Sequence, residues 1–423
     1  MNRIKVLLFT DSFPFANRET FLETEIDEWG KRENVDVVIF PIISNVGVLR
    51  ELPRNCSIES KLRDKLIRFE KWIFLFFPIV LLNPFFWKEL RLFPSIFFRP
   101  QKFRKLIAAS TFSLIISRYI KRYYSEYLNS DTIFYSYWFY YAAYAGALLK
   151  KKGFDFTLIS RAHGTDIFQN RKDTGCYIPF RRFAIYDYFA KIFPVSKKGE
   201  SYLKSNQNIP DSKLQVSTLG IEPQSIISSY SEKDCLSILS CSNIFRVKRI
   251  DLIIKGLAAY KTQHTNVDIS WHHIGAGNLQ AEIEELARKL LPRLGIKYKF
   301  HGVLPNKDVV DFYKHNKVDC FVTTSSSEGM PVSIMEALCF GVPILATDVG
   351  GIAEAVNNKV GYLLKPSFSE DDFVMGLHHM HSFKDLSVRK AISLYGNEKF
   401  DAERNHNCFI DTIFSLSNIT FSK

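Results

Sequence analysis

Between Ser325 and Val356 the chain reads SSSEGMPVSIMEALCFGVPILATDVGGIAEAV. Two carboxylates, Glu328 and Glu336, stand eight residues apart. That spacing alone says little, and the context says more. DCFVTTS (319–325) has the pattern of a buried strand, so Glu328-Gly329 falls in the turn at its carboxyl end. Pro331 suits the first position of a helix, Val332 to Phe340 continues it, and Gly341 ends it. Glu336 is the only charged residue between Glu328 and Asp348. A lone carboxylate on a helix that is apolar on nearly every side is costly unless donors reach it. Those donors are either neighbouring backbone and basic groups or the hydroxyls of a ligand, and the surroundings favour a ligand. The free N–H groups that open such a helix form an anion site. The expected ligand is therefore anionic and rich in hydroxyls.

Two further residues could act on it. His163 lies in SRAHGTDIF, at the carboxyl end of the strand pattern TLISRA (157–162). A single histidine is more often a core residue, but a strand end followed by glycine and aspartate points to ligand contact. Gly164 permits close approach, and Asp166 is expected to cap the next helix. Lys248, in CSNIFRVKRIDLIIKGL, opens a helix after the strand LSILSCS (236–242). It is either a solvated lysine or the partner of an anion. Near the N-terminus, TDSFPFANRETF places Glu19 and Thr20 at the start of a helix, where Thr20 has the character of an N-cap.

These residues need rigid elements behind them. Short apolar runs alternate with helical stretches along the whole chain. Strands are expected at 4–9, 35–40, 132–137, 157–162 and 192–196, with helices at 20–31, 101–127, 142–151 and 198–203. The pattern restarts with strands at 236–242, 267–274, 299–302, 319–325 and 343–348, and helices at 249–260 and 279–290. This alternation predicts α/β architecture with parallel sheets covered by helices. Pro223 and its Ser- and Gln-rich neighbours at 222–233 mark the junction of two doubly wound domains. Ligands bind such sheets at the carboxyl ends of their strands, and two facing sheets make a cleft. A last helical stretch, Asp401 to Leu416, has no strand after it.

With 423 residues, 46 % hydrophobic and 24 % charged, the chain is neither disordered nor fibrous. Its net charge of +12 is uneven. Residues 51–200 hold about 26 basic and 12 acidic groups, while 201–423 are balanced. One basic region seeking an anionic partner is expected. Seven cysteines without a C-x-x-C pair argue for a reducing compartment and against zinc. Met1 to Phe9 reads as a first strand and not a signal peptide. Trp72 to Leu82 is 11 apolar residues interrupted by Pro78, against about 20 needed to cross a membrane. The run WIFLFFPIVLLNPFFWKELRLFPSIFFRP, followed by Lys102, Arg104 and Lys105, is either a pair of core helices or a segment lying in a bilayer interface. No helix-turn-helix, zinc-finger or RNP-type motif appears. Gly275-x-Gly277 is not a full dinucleotide fingerprint, which counts against an oxidoreductase.

Glu328-x7-Glu336, with Ala337-Leu338, Gly341-x-Pro343 and Gly350-Gly351, resembles the signature of retaining GT-B glycosyltransferases. These form the "group 1" family (family 4-like), and many serve bacterial surface polysaccharides. The resemblance runs across the chain and is weakest at 45–130. It implies two Rossmann-like domains facing across a cleft. An acceptor-side domain would span 1–228, with helix 401–423 packing back on it, and a donor domain 229–400. By the same resemblance Glu336 accepts hydroxyls of the nucleotide ribose and Glu328 contacts a sugar hydroxyl. Backbone of Gly329, Met330, Pro331 and Val332 holds sugar and diphosphate. His163 faces the donor sugar, and Gly302 and Val303 lie by the base. Lys248 neutralises the leaving diphosphate. A basic residue usual in the family is replaced by Asn243, so Arg246 or Arg249 would supply the second charge. Glu19, Thr20, Gly164 and Asp166 would lie toward acceptor or phosphate. FPFANRETF (13–21) stands where most relatives have a glycine-rich loop.

The implied function is transfer of a hexose, with retention, from a nucleotide-diphosphate sugar to a carbohydrate or lipid-linked acceptor. Neither cofactor nor metal is implied, because the family needs none and no D-x-D-like pair appears. The expected place is cytoplasmic, peripheral at the inner face of the plasma membrane, with the basic domain on anionic lipid. The competing reading is a non-catalytic basic protein that keeps the fold and binds membrane or nucleic acid. Glu328, Glu336, His163 and Lys248 argue against it.

Overall fold

Strands made of aliphatic residues on both faces must be covered on both faces. The computed structural model, which describes residues 3–15, 19–70, 77–168, 177–180 and 185–417, shows how this chain does so. Twelve strands are found among these residues. The first six are β1 (Ile4–Thr10), β2 (Val35–Pro41), β3 (Cys56–Ile58), β4 (Thr132–Ser136), β5 (Thr157–Ala162) and β6 (Lys191–Pro194). The second six are β7 (Cys235–Cys241), β8 (Asp268–Ile274), β9 (Lys297–Phe300), β10 (Cys320–Thr323), β11 (Ile344–Thr347) and β12 (Gly361–Leu364). They form two six-stranded sheets, β3-β2-β1-β4-β5-β6 and β12-β11-β10-β7-β8-β9. Every ladder is parallel. Numbered within itself, each sheet has the order 3-2-1-4-5-6, with its topological switch between the first and fourth strands.

The chain divides into two units, Met1–Thr218 with Glu403–Lys423, and Leu219–Ala402. In the first, alternate residues of β1 feed two cores. Leu7 and Phe9 point to a cluster with Leu106, Ile116, Ala143 and Leu148 from the helices Pro100–Tyr123 and Tyr141–Lys151. Ile4, Val6 and Leu8 point to the other side, against Ile26, Trp29, Phe409, Ile410, Ile413 and Phe414. The last four lie on the terminal helix Ala402–Leu416, so this helix covers one face of the first sheet.

Residues 222–233, marked by composition as the junction, are held by the second unit. Ser228 N–H donates to the Phe340 carbonyl (2.9 Å) and Ser231 N–H to Asp319 Oδ1 (2.9 Å). The division comes earlier, after Thr218. Beside it Ile221 N–H donates to the Phe400 carbonyl (2.9 Å) and its carbonyl accepts from Ala402 N–H (3.1 Å), and Gly220 is needed there because a Cβ would meet Ala402 Cα at 2.3 Å. Three elements at the end of the second unit, β12, Glu370–His379 and Leu386–Lys399, are not among the expected ones, although Ser369-x-x-Asp372 and Asp385 are cap signals for the two helices.

The aromatic run at 72–100 is both core and surface. Phe85, Phe86 and Ile96 are buried in the first unit, whereas Leu82, Trp87, Phe97 and Phe98 are exposed. Trp72 to Phe76 lie outside the described residues.

Candidate functional site

In the second unit, four loops leave the carboxyl ends of adjacent strands: 242–249 after β7, 275–279 after β8, 301–305 after β9 and 324–331 after β10. The first and last are stitched together at the switch point. Ser326 N–H donates to the Val247 carbonyl (2.8 Å), and Thr324 Oγ1 donates to the carbonyl of Arg249 (2.8 Å). Thr347 Oγ1 donates to the Ser325 carbonyl (2.5 Å) from the end of β11. The stitching sets Lys248 Nζ 2.5 Å from Glu328 Oε1, with both side chains only partly exposed.

Gly350-Gly351 fixes the Glu328 turn from behind. Gly350 has φ +56°, and a Cβ there would lie 1.8 Å from the Glu328 carbonyl oxygen. Gly351 N–H donates to the Gly329 carbonyl (2.7 Å). The glycine pair is thus a backing for the turn. Similarly, Gly275 and Gly277 let the β8 loop lie on the backbone of Ser242 and Ile244, where a Cβ would sit 2.0 and 2.3 Å from their oxygens. Gly275 N–H donates to the Gly302 carbonyl (2.7 Å), and Gly302 itself adopts φ +69°. Val303 beside it is exposed.

The helix Val332–Cys339 carries Glu336. Its carboxylate makes no hydrogen bond or ion pair among the described residues, and burial pushes it up to about 7. The Cys241 thiol at the end of β7 is pushed up to about 12, first by burial and then by the Glu336 charge. Both effects describe a carboxylate held in a poorly solvated place without a donor, which native structures rarely leave unexplained. At the same end, the N–H groups of Gly329 and Met330 have no acceptor among the described residues. Val332 and Ser333 open the helix, where N–H groups have none within it. The arrangement can take an anion at the helix start, hydroxyls at Glu336 and a second contact at Lys248.

The Arg249 guanidinium is engaged by the protein itself. Arg249 has φ +49°, outside the helix that begins at Ile250, and its guanidinium donates to the carbonyls of Thr324 (2.6 Å), Ser325 (3.2 Å) and Pro366 (2.8 Å). It braces the β10 loop. Arg246 is exposed and makes no such bonds, as is Asn243, whose carbonyl accepts from Phe245.

In the first unit, His163 follows β5 and is buried. Its ring lies 4.5 Å from Trp138 and 4.9 Å from Tyr137, centroid to centroid. Burial, then the charge of Arg161, lowers its pKa to about 3, so it is neutral at physiological pH. A backbone hydrogen bond at Tyr137 engages the ring, and Nε2 is buried without a partner. Asp166 is not an N-cap, as the sequence suggests. His163 occupies that position, and Asp166, two residues into the helix Gly164–Ile167, accepts from the N–H groups of His163 (2.5 Å) and Phe139 (2.6 Å). It ties the loop after β4 to the loop after β5.

Glu19 is also turned inward. Its oxygens accept from the N–H groups of Asp11 (3.0 Å), Ser12 (2.7 Å) and Phe13 (2.7 Å), from Ser12 Oγ (3.2 Å) and from Trp138 Nε1 (2.6 Å). No oxygen is left to face a ligand strongly. Glu19 adopts φ +55° to do this and occupies the cap position of the short turn Thr20–Leu22, so Thr20 is not the N-cap. Behind both loops lies a buried cluster. Arg161 Nη2 meets Glu25 Oε2 at 2.9 Å, Tyr135 donates to Glu25 Oε1 (2.8 Å), and Arg161 covers the Phe409 ring at 3.8 Å. Sequence reading missed Tyr137, Trp138 and the Arg161–Glu25 pair. The available signals were the aromatic run YSYWFYY and one arginine inside an apolar strand.

Residues 225–392 match the family model described as glycosyl transferases group 1. The second unit is a group 1 glycosyltransferase domain. A putative teichuronic acid biosynthesis glycosyltransferase of Bacillus subtilis is 39 % identical over 69 residues, 16 % of this chain and 17 % of that protein. The chain spans between about a sixth and somewhat over half of the length of the first curated relatives it matches. Among solved structures, a lipopolysaccharide outer core galactosyltransferase in its apo form aligns with TM-score 0.62 and 18 % identity, covering 97 % of this chain and 99 % of that one. The Anabaena protein HepE in complex with UDP aligns with TM-score 0.62 and 15 % identity, covering 98 % and 100 %. Over the chain as a whole the fold is GT-B. The group 1 domain holds Lys248, Glu328, Glu336, Gly302 and Val303, and the first unit holds His163, Gly164, Asp166, Glu19 and Thr20.

Proposed function

We propose that this protein is a retaining, metal-independent hexosyltransferase. It would move a sugar from a nucleotide-diphosphate donor to a glycan or lipid-linked acceptor in bacterial surface-polysaccharide assembly. The observation that carries this reading is Glu336. It is a carboxylate without a partner, on a helix whose first N–H groups are open, in the same unit as the Lys248–Glu328 pair. A ribose diol and a diphosphate satisfy that set together. UDP is the first nucleotide to try, because a structural neighbour is described in complex with it. Surface polysaccharide is supported by the teichuronic acid and lipopolysaccharide names among the relatives.

The chemistry follows from charge. As the diphosphate leaves the anomeric carbon, negative charge grows on its oxygens and positive charge on the sugar ring. The diphosphate competes with Glu328 for Lys248, and the ammonium then stabilises the leaving group, aided by the helix start and Arg246. Glu328, released from the lysine, accepts a sugar hydroxyl. His163 is neutral and offers Nε2 to a hydroxyl, not a positive charge. Retention comes from attack on the face the diphosphate leaves, with no protein nucleophile.

The test is release of free nucleotide from a panel of UDP-, GDP- and ADP-sugars, with and without EDTA, and the anomeric configuration of the product. One donor turned over equally with EDTA, with retention, is expected. No turnover together with no calorimetric binding of any nucleoside diphosphate would overturn the reading. An inverted product would overturn retention alone.

A further inference from the structure

The helix Pro84–Leu92 exposes large apolar side chains beside its cations and buries its one acid. Phe85, Phe86 and Glu89 are buried, while Pro84, Trp87, Lys88, Arg91 and Leu92 are exposed. The exposed positions fall at i, i+3, i+4, i+7 and i+8, which is one face of a helix. That face pairs a tryptophan and a leucine, each about half exposed, with two cations. The one acid of the helix points the other way, where Glu89 accepts from Tyr177 Oη (2.6 Å) and Phe180 N–H (3.2 Å).

The neighbouring turns extend the same surface. Leu81 and Leu82 precede the helix, and the Trp87 indole N–H donates to the Leu81 carbonyl (2.8 Å), which holds the ring beside them. Phe97 and Phe98 follow, 60 % and 81 % exposed. They are joined to Trp87 by a chain of ring contacts through Phe103 and Phe86, with centroids 5.3 to 6.4 Å apart. Arg99 and Arg104 are exposed beyond them. From Lys71 to Ser125 the chain has ten Lys and Arg and a single acid, the buried Glu89. An exposed surface of leucines and aromatics with exposed cations beside it is disfavoured in water. It is matched by an interface in which acyl chains meet anionic headgroups. No helix of the described residues is long and apolar enough to cross a membrane.

We infer that the face formed by Leu81, Leu82, Trp87, Leu92, Phe97 and Phe98, ringed by Lys88, Arg91, Arg99 and Arg104, docks this protein on an anionic lipid bilayer. The aromatic and leucine side chains enter the headgroup boundary, and the cations sit on lipid phosphates. A second copy of the chain is the competing occupant, and the four exposed cations argue against it, since two such faces would bring like charges together.

The inference does not rest on the nucleotide-sugar reading, and the experiment separates the two. Full-length protein is sedimented with vesicles of phosphatidylcholine containing 0 to 40 % phosphatidylglycerol, at low and high salt. Binding that rises steeply with phosphatidylglycerol and falls with salt is expected. Each charge near the surface is worth about 1 kcal/mol, or about fivefold in affinity, so K88E/R91E should lose well over tenfold. W87S/F98S should lose binding to a similar degree while keeping its dependence on salt. Both variants should keep the wild-type melting temperature and, if the proposed activity holds, hydrolysis of soluble donor. Binding indifferent to anionic lipid, or wild-type binding by both folded variants, would overturn the inference. So would variants that only dissolve a dimer, as read by light scattering.

Discussion

The two units share one topology and use its switch point in opposite ways. In each sheet the first and fourth strands lie side by side, the place where such folds form a ligand crevice. In the first unit the crevice between β1 and β4 is filled from within. Glu19 takes the N–H groups of the β1 loop and the indole of Trp138, and Arg161 and Glu25 neutralise each other beneath. In the second unit the loops after β7 and β10 are bonded to each other, and what stays open is the helix start and Glu336. Among the described residues the N–H groups of Gly329 and Met330 have no acceptor and Glu336 has no donor, while Lys248 meets Glu328 in the same loops. The difference teaches how one scaffold makes either a rigid wall or an anion site. The wall carries its own anion, and the site is built to receive one.

The largest way to break this comparison is to unseal the wall. Arg161→Met leaves Glu25 buried with no guanidinium, and is expected to cost about 3–5 kcal/mol in urea unfolding. A loss below 1 kcal/mol would show that the wall does not depend on internal charge pairing. Next is Lys248→Ala, expected to lower kcat by about 10²–10³ at saturating donor with unfolding free energy nearly unchanged. Near-normal turnover would remove the lysine from the leaving-group role. Glu19→Gln comes third. Replacing an acceptor oxygen by an amide NH2 among five donors should cost about 1–3 kcal/mol of stability and leave donor KM unchanged. A stable variant with raised acceptor KM would instead make Glu19 a ligand contact.

The smallest effect lies in the pH dependence of nucleotide binding. The Glu336 carboxyl sits at about 7 in the free protein, so it is protonated below and charged above. Hydroxyls donate to the charged form, so binding draws off the proton. Affinity for the nucleoside diphosphate should therefore rise about tenfold from pH 6 to pH 8, measured calorimetrically, and Glu336→Gln should flatten the profile. An unchanged slope in the variant would assign the proton to another group.

Much of the scaffold is legible in the chain because buried parallel strands are written as short apolar runs, and nine of the twelve strands stand out this way; β9, Lys297–Phe300, alternates lysines with aromatics and is half exposed. β3 and β12 do not. Cys56–Ile58 is three residues long, and Gly361–Leu364 is only partly buried, so neither has a period to detect. The positions of Glu328, Glu336 and Lys248 were equally legible, since each charge interrupts an apolar context or follows a strand. What each side chain touches was not. Glu19 and Asp166 looked available for ligand, and both close on backbone N–H groups. Arg249 looked like a phosphate contact and instead holds three carbonyls.

The sequence by itself determined the α/β class, the two repeats of the strand pattern and the loops on which charged groups sit, because these follow from local periodicity and turn residues. Only the tertiary structure decided which charges are satisfied internally and which are left open. That depends on donors far away in the chain: Trp138 for Glu19, Thr324 and Pro366 for Arg249, and none for Glu336. Hydrogen bonds between loops form only once the sheets bring their strand ends together, and no local pattern encodes that distance.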